Sequence, residues 1–184
     1  MCIRDSSSAD IDSLLITHLH TDHVIDLYQL IISSWHSDRD SIWKIYGPKG
    51  TKKFVDQIFL AWKNERKLRI SYEKRKSIKA LKYKVFEFNK TGLINIKDIK
   101  FKYFEVDHKP VPFAYGFSFN SNKKKLTIRG ETRPCESLMQ NAENSDVLLH
   151  EVFIEYEMNK TSKLRTKKTL HNVKEYHTPS NLVG

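Results

Sequence analysis

The chain of 184 residues has only two cysteines, Cys2 and Cys135. Their wide separation argues against a disulfide framework and against a CxxC-type metal site. No apolar run approaches the ~18 residues that a membrane span needs. The opening "MCIRDSSSAD" lacks the apolar stretch of a secretory signal. A cytoplasmic protein without membrane contact is therefore expected. There is no internal repeat and no low-complexity segment. Acidic residues are in deficit: 22 Asp+Glu against 32 Lys+Arg leave a net charge of +10. A surface of that sign attracts polyanions.

The positive charge is uneven. Residues 61–84 ("AWKNERKLRISYEKRKSIKALKYK") hold ten basic and two acidic residues, and residues 159–174 hold six basic and no acidic ones. Such runs serve either as a solvated lysine-rich face or as a track for nucleic-acid phosphates. Trp62, Tyr72 and Tyr83 interleave with the first run, but their spacing suits half-burial equally well. With 39% hydrophobic and 11% aromatic residues, the chain is not of disordered composition, and its length suffices for one domain with a substantial core.

Patterning gives a mixed α/β order. Residues 11–17 read as a short buried strand. Val24, Leu27, Leu30 and Ile31 then recur at helical spacing. "IWKIYGP" reads as a second strand, stopped by Gly47-Pro48. Residues 51–64 read as a helix with Phe54, Ile58 and Ala61 or Trp62 on one face. Whether it continues into the basic run is open. "YKVFEF" and "IKFKYFEV" alternate as strands do. "FAYGFSF" and "KLTI" follow as hairpin partners. Pro134 suits the first turn of a helix through "CESLMQNAEN". "DVLLHEV" reads as a buried strand, and Ser180 as the cap of a last helix.

The polar cluster "THLHTDH" interrupts this order directly after the first strand. His18, His20, Asp22 and His23 crowd into six residues. Neutral imidazole and carboxylate are good ligands for Zn²⁺ and similar ions. A tight loop after a strand points His18 and His20 toward one ion. Asp22 and His23, past the bend, face a second. Two ions ~3.5–4 Å apart suit in-line displacement at phosphorus.

HxHxDH after an apolar strand resembles the signature of the metallo-β-lactamase fold superfamily, and further segments resemble it in order. "FEVDHKPVPFAYGF" is similar to the strand that supplies another metal-binding histidine. "IRGETRPCESLMQNAENSDVLLHEVF" resembles the family's "SGDTRPC…ADLLIHE", and "YHTPSNLVG" its "HTTP…AG". The resemblance is nearest to the ribonuclease Z-like branch. It implies an α/β fold, a metallo-β-lactamase-like αβ/βα sandwich that is incomplete here. Residues 1–10 are expected to be a non-native or disordered start, and 11–184 a partial domain.

The resemblance also implies roles. His18, His20 and His108 would hold one metal, and Asp22 and His23 a second. Glu131 would bridge the two, Asp22 would orient the attacking water, His177 would protonate the leaving oxygen, and Glu151 would set His177. Zn²⁺ is the implied ion, one or two per site, with Mn²⁺ or Fe²⁺ as substitutes. The family has Asp where this chain has Glu131, which displaces the carboxylate by roughly one C–C bond against metal–oxygen tolerances of about 0.2 Å. The Gly-Pro-rich arm that ribonuclease Z uses to grip transfer RNA is not found, and the family's last metal histidine lies past the end of this sequence. The implied function is a metal-dependent phosphodiesterase or ribonuclease Z-like RNA-processing nuclease, homodimeric as a full-length protein. The alternatives are a sulfatase or lactonase of the same fold, and a non-catalytic nucleic-acid-binding remnant. Arg133 is expected to pair with Glu131 or Glu136 or to touch an anionic substrate, and His36, His150 and His171 to be structural or solvated.

Overall fold

The computed structural model describes residues 7–160 and 164–183. The chain divides into two compact units, residues 1–88 and 89–184.

In the first unit Ser13–Leu15 (β1), Trp43–Gly47 (β2) and Tyr83–Glu87 (β3) form a parallel sheet in that order. Thr21–Val24 (α1) and Leu27–His36 (α2) connect β1 to β2, and Thr51–Ala61 (α3) and Lys63–Glu73 (α4) connect β2 to β3. The periodicity from Val24 onward thus belongs to two helices, broken between Val24 and Leu27. α2 buries Leu27, Tyr28, Ile31, Ile32 and Trp35. α3 buries Val55 and Phe59, with Phe54 and Ile58 only partly covered. Its core-facing stripe is therefore one position away from the expected one. The polypeptide breaks at Trp62 and resumes as α4, which buries no residue. Glu87, the last residue of β3, accepts hydrogen bonds from the amides of Gly50 and Lys52 at 2.9 Å each. It satisfies donors that the start of α3 leaves without helical partners. Gly50 stands in the left-handed region, with φ of 103°, which glycine adopts at no steric cost.

Of the residues expected to precede the fold, 1–6 lie outside the described residues, and so does Cys2. Ser8–Asp10 form a 3-10 turn, and Arg39 donates to the carbonyls of Ala9 and Ile11.

In the second unit Gly92–Ile96 (β4), Ile99–Glu105 (β5), Tyr115–Ser121 (β6), Lys124–Arg129 (β7) and Val147–Leu149 (β8) form a sheet in sequence order. β4 to β7 pair antiparallel, and β8 pairs parallel to β7. β4 was not among the strands expected, since "GLINI" is short and bounded by polar residues. Glu136–Ala142 (α5) starts after Cys135 as its cap, so Pro134 precedes the helix rather than opening it. Glu155–Lys160 (α6) and Lys167–Lys174 (α7) follow. β8 is not the buried strand its apolar sequence suggests: Val147 is 55% and Leu149 60% exposed. It lies at the end of the strand order, paired on one side to β7. Ser180 is the first residue of a 3-10 turn with Pro179 at the cap position, so it caps no helix. Among the described residues no helix is long and apolar enough to cross a membrane.

The core of the first unit centres on Ile31, Trp35, Trp43, Ile45 and Val55. Trp43 is fully buried and donates its indole N–H to Ser34 Oγ at 3.2 Å. Trp62 is half exposed and stacks on Tyr28 with ring centroids 5.7 Å apart. Trp43→Ala is expected to cost about 3–5 kcal/mol, the range for emptying a large core site. Trp62→Ala should cost only about 1 kcal/mol, because part of its surface is already in water. Denaturant unfolding of the two variants checks this, and equal losses would contradict the assignment of Trp43 to the core.

Candidate metal centre

In the first unit β1 ends at Leu15, and the chain carries the His-rich motif out of the strand and into α1. His18 is fully buried. Its Nδ1 lies 3.0 Å from Thr17 Oγ1, and its Nε2 lies 3.2 Å from Nδ1 of His20. His20 occupies the cap position of α1 in an extended conformation. Two nitrogen ligands of a tetrahedral ion, each at ~2.0–2.1 Å, are separated by about 3.3 Å. The spacing of these two nitrogens therefore fits a shared ion without rearrangement. The ring of His23 lies 4.4 Å from that of His18, and its Nε2 is 3.5 Å from the exposed carboxylate of Asp22.

In the second unit His108 sits on the segment between β5 and β6, buried, with Nδ1 3.0 Å from the carbonyl oxygen of Tyr176. A carbonyl only accepts, so Nδ1 must carry the proton. The other ring nitrogen, Nε2, lies 3.1 Å from Oε2 of Glu131. In neutral His108 that nitrogen presents a lone pair, and so does the carboxylate oxygen. A proton, carried by either atom, or a metal ion must sit between them. The extra methylene of Glu131 does not keep it away from His108.

His177 lies beside the same group. Its Nδ1 is 3.3 Å from Oε2 of Glu151, and its ring centroid is 5.6 Å from that of His108. Burial, the largest single effect, disfavours its charged form. The hydrogen bond and charge of Glu151, joined by the charge of Glu131, outweigh burial, and the pKa of His177 is raised. His150 shifts the other way. Burial first, and then the charge of Arg129, lower its pKa. Its Nδ1 is 2.6 Å from Arg129 Nη2.

The structure thus groups His18, His20 and His23 in the first unit, and His108 with Glu131 and His177 with Glu151 in the second. Arg133 pairs with Asp107 at 3.3 Å, not with Glu131 or Glu136 as expected, because it follows Thr132, whose hydroxyl and whose neighbouring amide both bond the Asp107 carbonyl. His36 stands 3.6 Å from Glu73, and His171 stands 4.0 Å from Glu175 on exposed α7. Arginines of the first basic run are engaged locally: Arg66 with the Phe59 carbonyl, Arg69 with Glu65, and Arg75 with Glu73. That leaves the lysines as the chief source of positive surface on α4. Two groups escaped sequence reasoning. The Tyr176 carbonyl is backbone and carries no residue-type signal. Arg129 stands where the resembled stretch "SGDTRPC" has Ser, and that mismatch was its only mark.

The model of the family described as Anti-Pycsar protein Apyc1 matches residues 2–175. A ribonuclease Z of Mycobacterium bovis (strain BCG) is 28% identical over 148 residues, covering 79% of this chain and 52% of that protein. The crystal structure of human tRNase Z, short form, aligns with a TM-score of 0.58 and 18% identity, covering 96% of this chain and 76% of that one. The metallo-β-lactamase fold protein YhfI from Bacillus subtilis aligns with a TM-score of 0.59 and 16% identity, covering 82% and 54%. The chain has the metallo-β-lactamase fold and is ribonuclease Z-like. It spans about half the length of the curated relatives it matches.

The raised pKa of His177 has a sign that can be checked. A group whose folded pKa lies above its unfolded value of ~6.5 contributes stability that is complete below that pH. The contribution disappears as pH rises through the folded value. The stability difference between wild type and Glu151→Gln should therefore be largest below pH ~6.5 and shrink toward alkaline pH. Urea midpoints across that range test it. A difference that grows with pH would contradict the pairing.

Proposed function

The chain belongs to the family of the Anti-Pycsar protein Apyc1, and we propose that the whole protein is a divalent-metal-dependent hydrolase of phosphodiester bonds. The observation that carries the reading is the buried pair of His108 and Glu131, whose facing nitrogen and oxygen would serve as two ligands of one ion. The ribonuclease Z relatives support the choice of bond, since cleaving RNA breaks a phosphodiester. The donor set favours Zn²⁺, with Mn²⁺ or Fe²⁺ next, because imidazole and carboxylate suit all three.

In this reading His18, His20 and His108 would hold one ion, Asp22 and His23 would hold a second, and Glu131 would contribute its carboxylate to the pair. A bound ion supplies Lewis acidity at phosphorus and a water of lowered pKa. Asp22 would orient the attacking water. His177, protonated and held by Glu151, gives a proton to the leaving oxygen. Its raised pKa keeps the acid form populated at higher pH than an ordinary histidine would.

Three measurements test the proposal on the whole protein. His18→Ala and His108→Ala should each remove the same equivalent of Zn²⁺ retained after dialysis, and the double variant should remove no more. Additive loss would show that the two histidines serve different ions. Assay against a model phosphodiester, an RNA with a 3′ extension, a sulfate ester and a lactone should give turnover on the first two classes. Turnover confined to the ester of sulfate or to the lactone would reassign the substrate, and retained binding of RNA without metal or turnover would favour the non-catalytic alternative. His177→Ala should lower turnover by ~10²–10⁴-fold, the usual contribution of a general acid, with metal content unchanged. Loss of metal in that variant would make His177 a ligand.

A further inference from the structure

Arg129 ends β7 and is 4% exposed. Its guanidinium donates to three separate stretches of chain. Nη1 reaches the Thr132 carbonyl at 3.0 Å. Nη2 reaches the Glu151 carbonyl at 2.6 Å, His150 Nδ1 at 2.6 Å and Thr178 Oγ1 at 3.2 Å. Thr178 in turn donates its hydroxyl to the Thr132 carbonyl at 2.7 Å. Each stretch holds one candidate group at a neighbouring or identical position: Glu131, Glu151 and His177.

Burying a guanidinium is costly unless its donors are well matched. Here Nε has no hydrogen-bond partner, and the partners named above are two carbonyls, an imidazole and a hydroxyl. A site that needed only filling would be served more cheaply by an apolar side chain. What an apolar side chain cannot do is hold three backbones at once. The planar fork of Arg can, and the single ammonium of Lys cannot reproduce its geometry.

We propose that Arg129 is the positioning residue of the hydrolytic site, fixing the segments of Glu131, Glu151 and His177 relative to one another through one buried guanidinium. The inference rests on the hydrolase reading for its purpose. Groups behind metal ligands fix ligand orientation, and their loss typically costs 10–100-fold in affinity or activity.

The test compares Arg129→Lys with Thr127→Ala in the full chain. Thr127 lies on the same strand, is fully buried and bonds Asn141 and Ser145, away from the three segments. Its removal controls for ordinary loss of stability. Co²⁺ serves as the probe, through its visible absorption and its affinity. Arg129→Lys should weaken Co²⁺ by ~10–100-fold and alter its spectrum, while Thr127→Ala changes neither. In the metal-free chain the amides of Arg133 and Phe153, bonded to Asp107 and Thr178, should exchange faster in Arg129→Lys and not in Thr127→Ala. Equal effects of the two variants, or unchanged Co²⁺ binding in Arg129→Lys, would overturn the proposal. If Arg129→Lys does not fold, wild-type exchange decides. One shared opening for Arg133 and Phe153 supports the clasp, and separate openings refute it. A wild-type chain that binds no Co²⁺ would instead overturn the hydrolase reading, and the positioning role with it.

Discussion

A bare imidazole nitrogen and a bare carboxylate oxygen do not rest 3.1 Å apart without a proton or a metal ion between them. That condition, set by His108 and Glu131, governs the second unit. The Tyr176 carbonyl commits the far side of the imidazole, so the ring cannot turn away from the carboxylate. Either a proton or a divalent ion meets the requirement. A proton uses only this pair, whereas an ion would also draw on other ligands. The nitrogens of His18 and His20 lie 3.2 Å apart in the first unit, a spacing that suits an N–H···N hydrogen bond or a tetrahedral ligand edge.

Around this condition the protein places groups that hold rather than react. Glu151 restrains His177 and keeps its proton. Arg129 gathers the strand ends behind Glu131, Glu151 and His177. Thr132 and Thr178 complete that layer, both almost fully buried. These groups need to be rigid, because metal ligands misplaced by a fraction of an ångström lose affinity. The β-sheet supplies the rigidity: Arg129 is paired to Gly116 across β6 and β7.

Much of this was legible in the residues. The motif from His18 to His23 follows a short strand as expected, because a short apolar run and a polar turn have distinct signatures, although β1 is only partly buried. In the second unit β5 alternates and was visible for that reason, whereas β4 was not. Other features were hidden by physics that a linear pattern does not carry. The exposure of Leu149 depends on which face of β8 is covered, and an apolar run does not encode that. The break at Trp62 lies in a stretch where helix propensity stays high on both sides, so only packing decides it. α6 and α7 are short and mostly polar, so they offer few apolar positions to read. Pairing of Arg133 with Asp107 links residues far apart in sequence. The role of Arg129 depends on three chain segments meeting at one point, which no spacing rule predicts.

The most direct test of the central claim is X-ray absorption at the zinc edge on the whole protein after dialysis. The account predicts imidazole back-scattering, with nitrogen and oxygen ligands at ~2.0–2.1 Å, and loss of part of that signal in Glu131→Ala. Zinc held through water and surface oxygens alone, or no zinc retained, would contradict it.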